Sequence, residues 1–168
     1  MRIKSSAGVT AMCLVLFGSS ISGELERCAR LKIPSGMQMP PGFDQVLRRI
    51  YHRSPTFRTQ YDRIASHPDL TVRIFLNIRL PSYCRAFTRV DRRGRTIRAD
   101  MHLPPISDYS ELLAHEFEHL LEQIEGVNLR QLARVRGSGI YEVETELYES
   151  KRAQAAGRAV AAETREAD

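Results

Sequence analysis

Residues 108–126 read DYSELLAHEFEHLLEQIEG, and the fold turns on how this stretch is taken. Leu113, Phe117, Leu120, Leu121 and Ile124 recur at helical spacing and predict an amphipathic helix. Pro104-Pro105 precede it, Asp108 and Glu111 form a D-x-x-E capping arrangement, and Gly126 stands where a left-handed C-cap belongs. His115 and His119 are four residues apart, so their rings project from one face of that helix, one turn apart. Two imidazole nitrogens so placed can reach one tetrahedral zinc at about 2.0–2.1 Å. Glu116 beside them is the residue type that takes a proton from a water whose pKa zinc lowers to about 7. The string is H-E-x-x-H, and two of the five histidines in the chain fall in its frame.

Upstream, Phe43, Val46, Leu47 and Ile50 predict a helix to His52, and Ser54-Pro55 opens a second one running to about Ser66. Val72, Ile74, Leu76 and Ile78 then alternate with their neighbours, as a strand does. Alternation over residues 84–102, broken at Arg92-Arg93-Gly94, predicts a β-hairpin. Downstream, residues 127–139 read as a loop or partly helical excursion, and Tyr141 to about Ala162 as a last helix rich in Glu, Ala and Arg. The expected fold class is α+β: a small antiparallel sheet of at least three strands packed on the H-E-x-x-H helix and on a following helix that carries glutamates.

His115-Glu116-Phe117-Glu118-His119 with a later glutamate resembles the gluzincin clan of zinc metallopeptidases, in particular small single-domain exported bacterial members. The resemblance covers roughly residues 70–157. Metzincins continue with Gly and His where this chain has Glu122 and Glu125, so that subtype does not fit. The resemblance implies a zincin-like fold, a Zn2+ cofactor, His115 and His119 as ligands, and Glu116 as general base and proton shuttle. It also implies a glutamate as third ligand. Tyr148-Glu149-Ser150-Lys151-Arg152-Ala153 looks most like that segment, because the small residues Ala153, Ala156 and Gly157 follow; Glu146 and Glu142 are the alternatives. Glu142, Glu146 and Glu149 would share one face of the expected helix. The larger clan members carry a C-terminal helical domain and an acid supporting the ligands, neither of which is evident here.

The implied activity is a zinc-dependent hydrolase, a peptidase, acting on a peptide or protein substrate through zinc-activated water. Residues 95–102, the strand just ahead of the motif helix, are expected to border the cleft, where an extended peptide can pair with a strand edge. His102, Tyr141 and Tyr148 are candidate oxyanion stabilisers. Two other classes compete: a non-catalytic exported zinc-binding protein, and a metal-free module that binds polyanions through the arginine-rich hairpin.

At the N-terminus, Arg2 and Lys4, an apolar Ala7 to Phe17 and small residues at Gly18 to Ser22 read as a signal peptide over residues 1–22. The expected localisation is therefore exported, periplasmic or secreted, with no stable membrane span after cleavage; a retained anchor is the rival. A lead-in over residues 23–41 and the domain itself over 42–168, with 158–168 as a frayed tail, complete the organisation. Of the three cysteines, Cys28 and Cys84 would remain, as one disulfide or as two thiols. The net charge of +5 falls to +3 without Arg2 and Lys4, too little to imply nucleic acid.

Overall fold

In the computed structural model, residues 31–82 and 84–166 are described. The expected signal peptide and Cys28 lie outside them. The lead-in contributes one short strand, β1 (Met37–Gln38), before the helices α1 (Phe43–Arg53) and α2 (Pro55–Ala65). Ser54 ends the first helix and caps the second, its Oγ accepting the Phe57 N–H at 2.9 Å. Phe43, Leu47 and Ile50 of α1, with Phe57, Tyr61 and Ile64 of α2, are buried, as their spacing requires.

Strands β2 (Leu70–Leu76), β3 (Phe87–Arg93) and β4 (Thr96–Leu103) follow, and the sheet order is β1-β2-β4-β3. The expected hairpin is present as β3–β4, antiparallel and paired from Phe87 with His102 to Arg93 with Thr96. The sheet is nevertheless mixed and not antiparallel: β4 inserts between β3 and β2 and runs parallel to β2, Leu70 facing Ile97 and Leu76 facing Leu103. Period-two patterning fixes which face of a strand is buried but says nothing about the direction of its neighbour. Ile97, Ala99, Met101 and Leu103 point inward with Leu70, Val72 and Ile74, whereas Leu76 and Ile78, expected on that same face, are exposed.

The motif helix α3 (Ser110–Ile124) lies across the inner face of the sheet. Its start lies two residues past Asp108, whose Oδ1 accepts the Ser110 N–H at 2.9 Å; Glu111 pairs with Arg85 instead of closing a capping box. Gly126 takes the left-handed conformation, φ 76°, past its end. Phe117 stacks on Phe57 at 5.2 Å between centroids, joining α3 to α2 in the core. A short helix, α4 (Leu129–Leu132), interrupts the following loop.

The last expected helix is two structures. Residues 140–150 form a hairpin, β5 (Ile140–Glu144) and β6 (Leu147–Ser150), and only then does α5 (Lys151–Glu166) begin. Tyr141, Val143 and Thr145 alternate with glutamates here, so the composition favours a helix while the β-branched residues and the preceding Gly137 and Gly139 favour a turn and a strand. Residues 158–166 of the expected frayed tail are helical: Val160, Ala161 and Thr164 are buried, and the helix runs on to Glu166. Glu163 secures that end by accepting from Thr56 Oγ1 at 2.6 Å, from the Thr56 N–H at 3.2 Å and from Ser54 Oγ. α5 packs extensively on α3, and the two backbones approach closely at Gly157. A Cβ there would lie 2.9 Å from the Glu111 carbonyl oxygen and 3.3 Å from His115 Cβ. Among the described residues no helix is long and apolar enough to cross a membrane.

Candidate metal centre

The two histidines do share one face of α3, with ring centroids 4.8 Å apart and planes 75° to each other. Glu149, the last residue but one of β6, meets them. Its Oε2 is 3.3 Å from His115 Nε2 and its Oε1 is 3.4 Å from His119 Nε2. These separations are long for an N–H···O bond; they run to the two different carboxylate oxygens, and each is close to the roughly 3.3–3.4 Å that separates two donors about 2.05 Å from one tetrahedral zinc. The three donor atoms lie within 4.8 Å of one another, and this is the one such group of three found among the described residues. Two neutral imidazoles and one carboxylate suit zinc, with a corner left for a fourth partner.

The alternatives to Glu149 do not join this group, although Glu146 lines the same cleft. Glu146 occupies the hairpin turn with φ 61°, a left-handed conformation that a non-glycine residue rarely adopts. Glu142 accepts the Glu146 N–H at 3.0 Å and so is used inside the hairpin. The common helical face expected for Glu142, Glu146 and Glu149 does not exist, because all three lie in a β-hairpin.

A supporting acid is present after all, on the motif helix itself. Glu122, 2% exposed, sits one turn beyond His119 and places Oε2 3.0 Å from its Nδ1. A carboxylate at Nδ1 fixes that nitrogen as the protonated one and turns Nε2 toward Glu149, as metal-bound histidines require. Burial works against charge on His119, but its hydrogen bond to the Glu122 carboxylate and the nearby Glu149 carboxylate outweigh it and raise the pKa to about 10. Glu149 shows the complement. Burial opposes its charge too, yet the two imidazoles and the Ser150 N–H hold its carboxyl far below the ordinary carboxylate range.

Glu116 is 3% exposed and faces the same space. Thr88 on β3 donates to its Oε2 at 2.7 Å, leaving Oε1 uncommitted in the hydrogen bonds described. Burial raises its pKa, and the nearby imidazoles and Thr88 only partly offset the rise. A carboxyl tuned upward in this way is suited to proton transfer near neutral pH.

The centre opens into a cleft of about 1230 Å³, above the roughly 300–1,000 Å³ of small-molecule pockets. β3 borders one side and the β5–β6 hairpin the other, through Thr88 and Val90 across from Val143, Leu147 and Tyr148. The bordering edge is therefore β3 and not residues 95–102, because β4 is enclosed between β2 and β3. Of the three oxyanion candidates Tyr148 lines the cleft. Tyr141 points to α5, its hydroxyl accepting from Gln154 Nε2 at 2.5 Å. His102 projects from the outer face of the sheet, stacked between Phe75 and Phe87 at 5.1 and 4.6 Å, and burial there lowers its pKa.

Sequence reasoning missed Glu122 and Thr88. Glu122 had a signal, since a residue three places after a ligand histidine lies beside it on a helix. Thr88 had none, because its contact with Glu116 spans two elements. No protein-family model, curated protein or solved structure matches this chain. The functional reading therefore rests on the residues and their geometry.

Proposed function

We propose that this protein is a zinc-dependent hydrolase, a peptidase of gluzincin-like, zincin-like construction, working outside the cytoplasm. The observation that carries the proposal is the meeting of His115, His119 and Glu149 with one donor atom of each within 4.8 Å of the others, and with Glu116 beside them in an open cleft. When bound, zinc would supply a Lewis acid that lowers the pKa of water to about 7. The chain supplies the rest. Glu122 holds His119 in the tautomer that presents Nε2, and Thr88 holds Glu116 so that its free oxygen faces the reacting water. Glu116 accepts the proton as the water attacks the substrate carbonyl and then delivers it to the leaving amine. Tyr148 borders the same cleft and is placed to donate to the developing oxyanion. The edge of β3 offers backbone groups to an extended peptide and so suits a peptide better than a compact substrate.

Purification without chelators, metal analysis and a quenched-fluorescence peptide assay test the reading together. The wild-type chain should carry zinc and cleave peptide. Glu116→Gln should keep the zinc and lose about 10²–10⁴-fold in turnover. Zinc at background in the wild type, or undiminished hydrolysis by Glu116→Gln, overturns it. Zinc retained with no hydrolysis by either protein leaves a non-catalytic zinc site.

A further inference from the structure

Glu149 reaches the histidines from a hairpin that is separate from the main sheet, so β5–β6 by itself gives that carboxylate little support. The chain immediately beyond Glu149 is anchored far more firmly. Ser150, 1% exposed, caps α5 by accepting the Ala153 N–H at 2.9 Å, and the Lys151 N–H donates to the Gly139 carbonyl at 2.8 Å. Arg152, three residues past Glu149, then reaches back to the motif helix. Its Nε donates to Glu118 Oε1 at 2.5 Å, its Nη2 to Glu125 Oε1 at 2.9 Å and its Nη1 to Glu125 Oε2.

Glu118 is the fourth residue of the motif, flanked by Phe117 and His119, and it is buried at 7% exposure. Its second oxygen accepts from Gln60 Nε2 at 2.5 Å, and Gln60 also donates to the Ala114 carbonyl at 3.0 Å. Arg63 completes the set on Glu125 at 2.5 Å. Glu118 and Glu125 are seven residues apart, two turns along one face of α3. One guanidinium therefore spans two turns of the helix that carries both histidines. The guanidinium is planar and its donors are fixed relative to one another, so this attachment restricts orientation as well as distance.

We propose that Arg152 is a positioning residue for the third metal ligand: by clamping the start of α5 to Glu118 and Glu125, it holds the Glu149 carboxylate at coordinating distance from His115 and His119. The proposal rests on the zinc reading of the site. It gives Glu118, a position the H-E-x-x-H pattern leaves open, a defined task. It also separates Arg152 from the reacting groups, since its contacts run to the motif helix and not into the cleft. A ligand carried on an untethered segment would have to be ordered whenever metal binds, and the clamp removes that entropy loss beforehand.

Zinc affinity of the full chain, measured by competition with a chromogenic chelator, tests this through a double-mutant cycle. Arg152→Gln and Glu149→Ala should each weaken zinc by about 10- to 100-fold. The double variant should bind no more weakly than Glu149→Ala alone, because Arg152 acts only through that carboxylate. Losses that multiply in the double variant, or an unchanged affinity in Arg152→Gln, overturn the proposal while leaving the metal site intact. A wild-type chain that binds no zinc overturns the metal reading and the proposal with it. Should Arg152→Gln fail to fold by circular dichroism, Arg152→Lys completes the same cycle with its charge kept and its fork lost. Its loss should vanish in the Glu149→Ala background, and an equal loss in both backgrounds counts against the clamp.

Discussion

His119 is engaged at both ring nitrogens, by Glu122 at Nδ1 and by Glu149 at Nε2. Its pKa rises from 6.5 to about 10, so at neutral pH the metal-free ring is an imidazolium. Zinc takes only the neutral ring and must displace that proton. Zinc binding at pH 7.5 should therefore release about one proton from this site, read by calorimetry in buffers of different ionisation enthalpy. Apparent affinity should fall about tenfold for each pH unit lowered across that range. Folding stability moves the other way in the metal-free chain. A raised histidine pKa contributes fully below pH 6.5, and the contribution is lost as pH rises through about 10. At this scale the sequence was most informative where a single helix fixes the geometry. His115, Glu116 and His119 follow from 3.6-residue periodicity alone. Glu149 was favoured over Glu146 and Glu142 for the small residues Ala153, Ala156 and Gly157 that follow it, and the helical face all three were expected to share is abolished by the hairpin; what brings Glu149 to the histidines is the junction of β6 with α5, which no local periodicity encodes.

Among the elements, α5 is held at both ends, by Arg152 on α3 and by Glu163 on the start of α2. Glu163 satisfies the Thr56 N–H and two hydroxyls, and Ser54, one of the two, is fully buried. Glu163→Ala removes an N-terminal cap and strands a buried hydroxyl. It should cost about 1–3 kcal/mol, read as a lower urea midpoint with an unchanged m-value. The elements legible in the sequence are those with strong punctuation: Ser54-Pro55 before α2, Gly94 between β3 and β4, and Gly126 after α3. The parallel pairing of β2 with β4 was not legible, because it depends on where the chain re-enters the sheet as β3 after it leaves β2. The β5–β6 hairpin was obscured by glutamates whose helical propensity is overridden by tertiary contacts.

For the molecule as a whole, the proposed zinc reading rests on one group of three suitable donors among the described residues and so expects one zinc per chain. Plasma mass spectrometry should give that ratio. Zinc at about 100 times its dissociation constant should raise the thermal midpoint by roughly 5–10 °C, an effect that chelation or His115→Ala removes. The β5–β6 hairpin joins this centre to its surroundings in another way. The same few residues wall the cleft and present Glu149, so an occupant that presses on Val143 or Leu147 would also displace or steady the proposed metal ligand. Whatever factor such an occupant adds to the grip on the ion, the ion must return to the occupant in equal measure.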